Sequence, residues 1–403
     1  MGERRPFPGR RVLLGVTGGV AAYKSIELAR RLAQAGALVD TVLTPAACDF
    51  VTPLAFEAVT GRAPYLARWA PGDALRHIRL AREVEAVVVA PATADFLARA
   101  AAGRADDLLG AVLLATRVPA LLCPAMNDRM FEHPATQANL ERVRALGYQV
   151  LGPSIGPLAW GEGEGPGRMV EPEEIVAHLA RVLERPSLAG RRVLVTAGPT
   201  REAIDPVRFV SNRSSGRMGY ALAEVAWRRG AAVTLVSGPT ALPPPVGVEL
   251  VRVETAAAMA EAVAAHLPAA DVLVMAAAPA DFRPAAPAAA KLTKEDGLPP
   301  PLAWALTADI LQSTRPLRRP DTRVVGFALE TADDALARAR AKLEAKGLDL
   351  VVLNRADEAD SGFDTETNRV TVIDAAGRVD RWPLLPKAEV AERLWDRIEE
   401  LLP

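Results

Sequence analysis

The chain has 403 residues, of which 50% are hydrophobic and 24% charged, and its net charge at pH 7 is -1. This length favours two or three domains over a single core, and the near-zero net charge predicts no bulk attraction to nucleic acid or to an anionic membrane. The two cysteines, Cys48 and Cys123, exclude a disulfide framework and a cysteine-only metal site. Because no signal-peptide pattern and no apolar run of membrane-spanning length occurs, we expect a cytoplasmic protein.

Two stretches of the chain open in the same way and predict two α/β modules. Residues 9–14, GRRVLL, parallel residues 190–195, GRRVLV, and each stretch leads into a glycine turn, a helix and a further strand. Short β-branched runs that end in glycine turns are typical of buried parallel strands. Residues 184–190, ERPSLAG, form a polar connector between the modules. We therefore predict an α/β protein with two Rossmann-like domains, residues 1–186 and 187–403, each with a mostly parallel sheet.

In the first module, the loop VTGGVAAYKS at residues 16–25 joins the first strand to the first helix. It lacks GxGxxG, so a dinucleotide fingerprint is not supported, but a glycine-rich helix start still offers a phosphate site. Two later strands end in polar turns, PATAD at 91–95 and PAMN at 124–127. Because parallel strands end at one edge of their sheet, we expect Thr17-Gly18, Thr93 and Asn127 to line one cleft. The strands are predicted at 12–14, 39–43, 86–90 and 120–123.

Two further features of the first module allow two interpretations each. A lone histidine such as His77 is more often exposed or satisfied in a core, but here Arg76 and Arg79 flank it, which suits an anionic substrate and bears on its pKa. Residues 152–167, GPSIGPLAWGEGEGPG, predict either a disordered linker or a mobile lid whose Trp160 closes over a ligand.

In the second module, the strand at 193–195 runs into Gly198-Pro199 and a polar loop that ends at Gly216, and a helix begins at Arg217. Backbone N–H groups and the dipole at this helix start favour a phosphate. A long loop, 284–301, carries Lys291 and Lys294, which suit a triphosphate clamp. Strands are predicted at 233–236, 272–275, 324–328 and 350–354, helices at 217–226, 256–267, 332–346 and 387–402, and a hairpin at 369–382. The helix lysines 342 and 346 share a face that is either functional or simply solvated.

The order of these motifs along both halves resembles the bifunctional family that fuses phosphopantothenoylcysteine decarboxylase to phosphopantothenate–cysteine ligase in coenzyme A synthesis. The matching segments of the first half are 18–24, 77–80, 91–95, 124–127 and 165–169. Those of the second half are 196–200, 205–208, 211–216, 276–281, Lys291 and 325–327. The resemblance covers nearly the whole chain and implies a flavodoxin-like flavoprotein domain followed by a ligase domain.

For the first half, the resemblance implies FMN-dependent decarboxylation of 4′-phosphopantothenoylcysteine to 4′-phosphopantetheine. His77 would be the base, and Asn127 would hold the carboxylate. The implied FMN contacts are Gly18, Gly19, Ser25, Thr44, Ala92 and Thr93.

For the second half, the resemblance implies that 4′-phosphopantothenate attacks the α-phosphate of CTP and that cysteine then displaces CMP from the acyl-cytidylate. Both steps develop negative charge, so cations and hydrogen-bond donors matter more than a base. Lys291 fits the charge clamp of the first step, and Asn212 fits a neutral donor and acceptor that holds the acyl-cytidylate in the second. Asp281 would bind Mg²⁺. The implied CTP positions are Ala277, Asp281, Lys291, Asp309, Ile310, Phe327, Lys342 and Lys346. The family also implies a homo-oligomer, with trimeric decarboxylase halves and dimeric ligase halves, up to a dodecamer.

The sequence departs from the family pattern at two positions. The family's lid has a cysteine that protonates the ene-thiol intermediate, and residues 158–161, LAWG, have none; Glu162, Glu164 or a water are the candidate replacements. Leu306 stands where a basic residue is common. The missing cysteine leaves open an alternative, in which the first module is a flavin-binding regulatory subunit or an impaired decarboxylase. A nicotinamide-dependent oxidoreductase is a third interpretation, which the absence of GxGxxG disfavours.

Overall fold

The protein is described here from a computed structural model, which covers residues 6–66, 74–161, 163–293, 301–330, 334–355 and 365–403. The chain divides between Glu184 and Arg185 into two compact units. Each unit is an α/β structure around its own mostly parallel sheet, which confirms the predicted fold class. Among the described helices, none has the length and hydropathy needed to cross a bilayer.

The N-terminal unit contains a six-stranded parallel sheet in the order β3-β2-β1-β4-β5-β6, and a separate antiparallel pair, β7 and β8. Without the two-residue edge strand β3, the order is that of flavodoxin-like sheets, and β3 extends it to the Rossmann order. The strands are β1 (Arg11–Val16), β2 (Leu38–Leu43), β3 (Tyr65–Leu66), β4 (Ala86–Ala92), β5 (Ala120–Pro124), β6 (Gln149–Val150), β7 (Ser154–Pro157) and β8 (Glu164–Arg168). The helices are α1 (Ala22–Gln34), α2 (Pro53–Thr60), α3 (Arg76–Glu83), α4 (Ala94–Ala101), α5 (Leu108–Ala115), α6 (Asp128–Glu132), α7 (Pro134–Ala145) and α8 (Pro172–Leu183).

Helices cover both faces of this sheet, and the alternation of side chains along each strand separates two cores. On β1, Val12 and Leu14 belong to one buried cluster, with α1 and α8. Leu13, which points to the opposite face, belongs to a second cluster with α4 and α5. A central strand buried on both faces has no polar alternation, which is why β1 and β4 read as continuous apolar runs.

The linker interpretation of residues 152–167 is wrong. The segment forms an antiparallel hairpin, in which Ser154 to Pro157 pair with Glu164 to Arg168. We call β7, β8 and their connection the lid hairpin. Trp160 at its tip is fully exposed, with a relative accessibility of 102%. Glu162, one of the candidate proton donors, lies outside the described residues.

The C-terminal unit contains an eight-stranded sheet in the order β13-β12-β9-β14-β17-β18-β20-β21, parallel from β13 to β18 and antiparallel from there on. The strands are β9 (Arg192–Ala197), β10 (Arg201–Ala203), β11 (Phe209–Ser211), β12 (Ala232–Ser237), β13 (Glu249–Arg252), β14 (Val272–Met275), β15 (Phe282–Pro284), β16 (Trp304–Leu306), β17 (Arg323–Glu330), β18 (Leu350–Arg355), β19 (Thr367–Asn368), β20 (Val370–Asp374), β21 (Val379–Arg381) and β22 (Leu385–Pro386). The helices are α9 (Arg217–Arg228), α10 (Ala256–His266), α11 (Ile310–Ser313), α12 (Ala335–Lys346) and α13 (Lys387–Glu399).

Most predicted elements of this unit are confirmed, including the helix that begins at Arg217 and the β20–β21 hairpin. Residues 332 and 333, which were predicted to start α12, lie outside the described residues. The predicted loop between β9 and α9 is partly wrong, because it contains the antiparallel pair of β10 and β11. The long loop after residue 284 connects two short strands, β15 and β16, which pair antiparallel.

The last helix, α13, is fastened to α9 by buried charges. Arg228 and Arg229 on α9 both form ion pairs with Glu392. The indole nitrogen of Trp395 donates to the Leu222 carbonyl at 2.9 Å. These contacts hold the C-terminal helix on α9. Removing one partner of such a buried ion pair would leave an uncompensated buried charge, which is strongly destabilising.

Candidate active sites

The first cavity lies at the carboxyl edge of the N-terminal sheet, where the strand order reverses between β1 and β4. Ligands of open α/β sheets bind at this point. The Thr17 hydroxyl, just beyond β1, donates to the Pro91 carbonyl at 2.7 Å and accepts from the Thr93 backbone N–H at 3.2 Å. This pair of bonds closes the two strand ends on each other, and Pro91 and Thr93 line a cavity of about 630 Å³.

The cavity brings together the three strand ends expected from the sequence. Gly18, Gly19, Thr93 and Asn127 all line it. A Cβ on Gly18 would lie 2.5 Å from the Ala46 side chain and 2.6 Å from the Ala46 carbonyl carbon, so a glycine is required where this loop approaches its neighbour. The other lining side chains include Tyr23, Lys24, Asp95, Met130 and Arg168.

Five residues expected at this site do not line the cavity. Thr17 is buried, with its hydroxyl bonded to Pro91 and Thr93. Ser25 is buried, and its hydroxyl donates to the Ala90 carbonyl at 2.6 Å. Thr44 is buried and caps the short helical turn after β2 by accepting from the Ala47 N–H. Ala92 is the buried last residue of β4. The half-buried His77 is the second residue of α3, a helix that leads directly into β4 and therefore starts at the carboxyl edge of the sheet.

The hydrogen bonds of Asn127 determine which group its side chain presents. Its amide oxygen accepts from the Arg129 backbone N–H at 2.9 Å, as the cap of α6. An amide oxygen must face a backbone N–H, so this contact assigns the oxygen and nitrogen of the side chain. The Asn127 amide nitrogen, a donor, is therefore the group available to bind an acceptor in the cavity.

The lid hairpin forms one wall of the cavity through residues 157–159 and 167–169. Its C-terminal end is tied down twice. The Met126 N–H donates to the Gly167 carbonyl at 2.9 Å, and Lys24, buried on α1, donates to the Met169 carbonyl at 3.2 Å and to Glu171 at 2.9 Å. Burial raises the pKa of Glu171, but bonds from Lys24 and Arg168 outweigh burial and lower it. The tether is therefore ionic at neutral pH.

A second cavity, of about 530 Å³, lies at the corresponding point of the C-terminal sheet, between β9 and β14. The segment after β14 consists of residues with small side chains, and polar groups at the end of β9 hold its backbone. The Ala277 N–H donates to the Thr196 hydroxyl at 3.1 Å, and the Ala278 N–H donates to the Gly198 carbonyl at 2.9 Å. Small side chains on a fixed backbone let a ligand approach main-chain groups closely.

Most of the residues predicted for the nucleotide site share this cavity. The lining includes the N-terminus of α9 at Gly216 and Arg217, and the predicted residues Asn212, Ala277, Asp281, Asp309, Ile310, Phe327, Lys342 and Lys346. Lys291 does not line it; its side chain is exposed. Leu306, 76% exposed, also lies on the cavity wall. Lys294 lies outside the described residues.

Asn212 is oriented in the opposite sense to Asn127. Its amide nitrogen donates to the Ala278 carbonyl at 3.1 Å and to the Pro279 carbonyl at 3.0 Å. Both donors of the side chain are used, because a primary amide has two N–H bonds. The group that Asn212 presents to a ligand is therefore its oxygen, an acceptor.

Two lysines of α12 form the cationic wall of the second cavity. Lys346 pairs with Asp309 at 2.7 Å, and Lys342 donates to the Phe327 carbonyl at 2.6 Å. Desolvation lowers the pKa of Lys342, and repulsion from Lys346 lowers it further, against the attraction of Asp309, Glu330 and Asp281. Lys342 therefore lines the cavity as a cation that burial has made easier to deprotonate.

The polar residues of this cavity that sequence reasoning missed include Asn354, Asn368 and Lys387. They come from the end of β18, from β19 and from the first turn of α13. Asn368 donates to the Asn354 side chain at 3.4 Å, and Lys387 donates to the Thr365 carbonyl at 2.7 Å. Lys387, which opens a predicted helix directly after a proline, was the one available sequence signal.

The donor groups of the described residues limit the kind of metal site that the protein can form. Within the described ranges, no group of three or more His, Cys, Asp or Glu side chains could hold a metal ion. Mg²⁺ in nucleotide sites is commonly held by one or two carboxylates together with the phosphates. Asp281, exposed on the cavity wall, fits this kind of site and not an all-protein cage.

Comparisons with known proteins cover both units. The family model described as Flavoprotein matches residues 2–184, and the model described as DNA/pantothenate metabolism flavoprotein C-terminal domain matches residues 188–402. The chain is 46% identical over 407 residues to the coenzyme A biosynthesis bifunctional protein CoaBC of Mycobacterium tuberculosis, covering 98% of this chain and 97% of the relative. It is 43% identical over 395 residues to the CoaBC of Vibrio cholerae, covering 97% of this chain and 98% of the relative.

Solved structures match the two units separately. The C-terminal domain of a coenzyme A biosynthesis bifunctional protein CoaBC is 41% identical, with a TM-score of 0.46, and covers 54% of this chain and 97% of that one. The FMN-dependent cysteine decarboxylase SpaF is 32% identical, with a TM-score of 0.37, and covers 43% of this chain and 95% of that one.

Proposed function

Because this chain belongs to the family of coenzyme A biosynthesis bifunctional proteins, we propose that it joins 4′-phosphopantothenate to cysteine with CTP and then decarboxylates the product to 4′-phosphopantetheine. The observation that carries the proposal is a separate cavity in each unit, at the point where each mostly parallel sheet reverses its strand order. Two such cavities fit two reactions on one chain.

In the ligase step, the carboxylate of 4′-phosphopantothenate attacks the α-phosphorus of CTP, and pyrophosphate leaves. Negative charge increases on the phosphate oxygens, so the step needs fixed cations and N–H donors. The N-terminus of α9 supplies backbone donors, and Arg217, Lys342 and Lys346 supply positive charge on the same cavity wall. Asp281 would bind a Mg²⁺ ion that the phosphates also hold.

In the second ligase step, the cysteine nitrogen attacks the acyl carbon, the bond from that carbon to the CMP oxygen breaks, and the nitrogen loses a proton. The attacking amine has N–H bonds to donate. Asn212 presents an acceptor oxygen, which can hold such an amine with its lone pair toward the acyl carbon. Because the Asn212 amide is neutral, it does not stabilise the protonated form of the amine, which cannot attack.

The N-terminal cavity fits a flavin mononucleotide. Its volume, its glycine-lined start of α1 and the hydroxyl of Thr93 suit a phosphate at a helix start and a planar ring beside it. When bound, FMN supplies reversible two-electron oxidation. Asn127 donates to the substrate carboxylate through its amide nitrogen and so fixes the group that leaves as carbon dioxide. The proposed FMN contacts of Ser25, Thr44 and Ala92 remain predictions, since none of the three lines the cavity.

We propose His77 as the base of the decarboxylase. It does not line the cavity of its own chain, and a neighbouring copy in a homo-oligomer can bring a second His77 to that cavity. A trimer of the N-terminal units, a dimer of the C-terminal units and a dodecamer of the whole chain remain predictions, as does the cytoplasmic location.

The proton donor for the final reduction is not among the described residues at the tip of the lid hairpin. Glu164 is exposed and does not line the cavity, and the described residues 158–161 contain no acid. The alternative of a regulatory or impaired first module is not favoured, because the relatives that match the whole chain are bifunctional proteins. A nicotinamide enzyme is supported by neither family model.

One assay tests both halves. The full-length protein is incubated with 4′-phosphopantothenate, cysteine and CTP, and pyrophosphate and carbon dioxide are measured together, with mass spectrometry of the product. We expect pyrophosphate and carbon dioxide in equal amounts, a yellow protein with a flavin spectrum, and reduced 4′-phosphopantetheine. Pyrophosphate without carbon dioxide from a flavin-bound protein would refute the decarboxylase assignment. An oxidised ene-thiol product would show that the lid has no effective proton donor.

A further inference from the structure

A turn outside both cavities is organised around one buried carboxylate. Residues 204–208 connect β10 to β11, and Asp205 within this turn has a relative accessibility of 2%. Its Oδ1 atom accepts from the Val207 N–H at 2.7 Å and from the Arg208 N–H at 2.7 Å. This half of the carboxylate shapes the turn itself.

The other half of the Asp205 carboxylate reaches a different part of the chain. Its Oδ2 atom accepts from the Arg208 guanidinium at 2.6 Å and from the Leu292 N–H at 3.2 Å. The same guanidinium donates to the Leu292 carbonyl at 3.0 Å. Both backbone groups of Leu292 are therefore held by one ion pair, and the Ala288 N–H adds a bond to the Ile204 carbonyl at 2.9 Å.

The residue before Leu292 is Lys291, the proposed charge clamp of the first ligase step. The residue after β11 is Asn212, the proposed amine acceptor of the second step. One hairpin, β10 with β11, thus carries Asn212 at its base and holds the Lys291 segment at its tip. The ion pair remains charged across the physiological range, because burial, which raises the pKa of Asp205, is outweighed by the four hydrogen bonds that lower it to about 2.

We propose that Asp205 is a positioning residue for the ligase: its Oδ2 atom, together with Arg208, docks the Lys291 segment on the β10–β11 hairpin, while its Oδ1 atom maintains the hairpin. This inference rests on the proposed function of the C-terminal unit. It assigns the two oxygens of one carboxylate to different half-reactions, since Oδ2 acts through Lys291 and Oδ1 acts through the hairpin that carries Asn212.

The test is Asp205→Asn, which keeps an oxygen for the turn and places an NH₂ group where Oδ2 stands. That NH₂ then faces two donors, the Leu292 N–H and the Arg208 guanidinium. The hydrogen bonds of Oδ2 that dock the Lys291 segment are therefore lost, and those of Oδ1 within the turn are kept. We expect the kcat for pyrophosphate formation to fall about 10- to 100-fold, with the KM for CTP within about threefold of the natural value. Coupling of cysteine to preformed acyl-cytidylate should stay within about threefold.

Three controls make the result decisive. Asp205→Ala loses both oxygens and should slow both half-reactions. Asp271→Asn is a matched variant, because the Asp271 carboxylate also binds a backbone N–H, of Arg192 at 2.7 Å, and an arginine, Arg319 at 2.6 Å, but contacts no part of the Lys291 segment. It should leave both half-reactions unchanged. In the Lys291→Ala background, Asp205→Asn should have no further effect on pyrophosphate formation.

A second measurement does not depend on ligase activity. Trypsin cleavage after Lys291, followed by mass spectrometry of the full-length protein without CTP, should be about 10-fold or more faster in Asp205→Asn than in the natural protein or in Asp271→Asn. Unchanged cleavage, equal loss of both half-reactions in Asp205→Asn, or full additivity with Lys291→Ala would each overturn the proposal. Faster cleavage in a protein with no CTP-dependent activity would uphold the docking and refute the proposed ligase function instead.

Discussion

Gly167 offers the sharpest test of the lid hairpin, because both its conformation and its surroundings exclude a side chain. Its φ is +144°, and a Cβ at this position would lie 2.2 Å from the Met126 carbonyl oxygen. Positive φ costs an alanine about 1–3 kcal/mol. Relief of the clash moves the backbone away and weakens the bond from the Met126 N–H to the Gly167 carbonyl, worth about 1 kcal/mol.

Together these terms predict that Gly167→Ala weakens docking of the lid hairpin by about 2–4 kcal/mol, or roughly 30- to 1,000-fold in the docking equilibrium. Since the hairpin forms a wall of the N-terminal cavity, we expect a matching loss of flavin affinity, measured by flavin fluorescence during dilution, and slower carbon dioxide release. Pyrophosphate release by the other unit should be unchanged.

Two glycines on the tip of the same hairpin are matched controls. Gly161 and Gly163 also have positive φ, of +84° and +77°, but a Cβ on either meets nothing within 4 Å. Alanine there incurs the conformational cost of about 1–2 kcal/mol without the clash. If Gly167→Ala binds flavin and releases carbon dioxide as these controls do, the argument that the hairpin end must contact residue 126 is wrong.

Three further predictions follow from the sites. His77→Asn should abolish carbon dioxide release and spare pyrophosphate release, and loss of both in a folded variant would contradict the division of labour. Limited proteolysis should cut first within 184–190 and release two folded halves; early cuts only inside either half would count against this. Because desolvation lowers the pKa of Lys342, CTP binding should weaken with rising pH before an ordinary lysine would lose its proton, and Lys342→Met should remove that pH dependence.

The sequence predicted the parallel strands well because their physical cause is local. The strands β4 and β14 are buried on both faces, so each appears as an uninterrupted apolar run followed by small or turn-forming residues. The carboxyl ends of such strands meet at one edge by topology alone. For this reason the shared cavity of Gly18, Thr93 and Asn127 could be predicted without any knowledge of contacts.

The small hairpins could not be predicted in the same way. In the lid hairpin, the strands contain Gly156, Pro157 and residues 165–167, which have low strand propensity and no alternation of polar and apolar side chains. Their pairing depends on tertiary contacts, such as the bond from the Met126 N–H to the Gly167 carbonyl. The position of Lys291 could not be predicted for a similar reason, since the hydrogen bonds from Asp205 and Arg208 that hold the neighbouring Leu292 join segments far apart in the sequence.

The two proposed substrate-holding asparagines show what a structure adds to a motif. Sequence alone assigns Asn127 and Asn212 the same side chain with the same donor and acceptor. The neighbours of each side chain remove that ambiguity: a backbone N–H takes the oxygen of Asn127, and two carbonyls take the nitrogen of Asn212. A carboxylate that must be held before it leaves needs a donor, and an amine that must be held before it attacks needs an acceptor. The polarity of each amide therefore matches the reaction proposed for its own cavity and is wrong for the other.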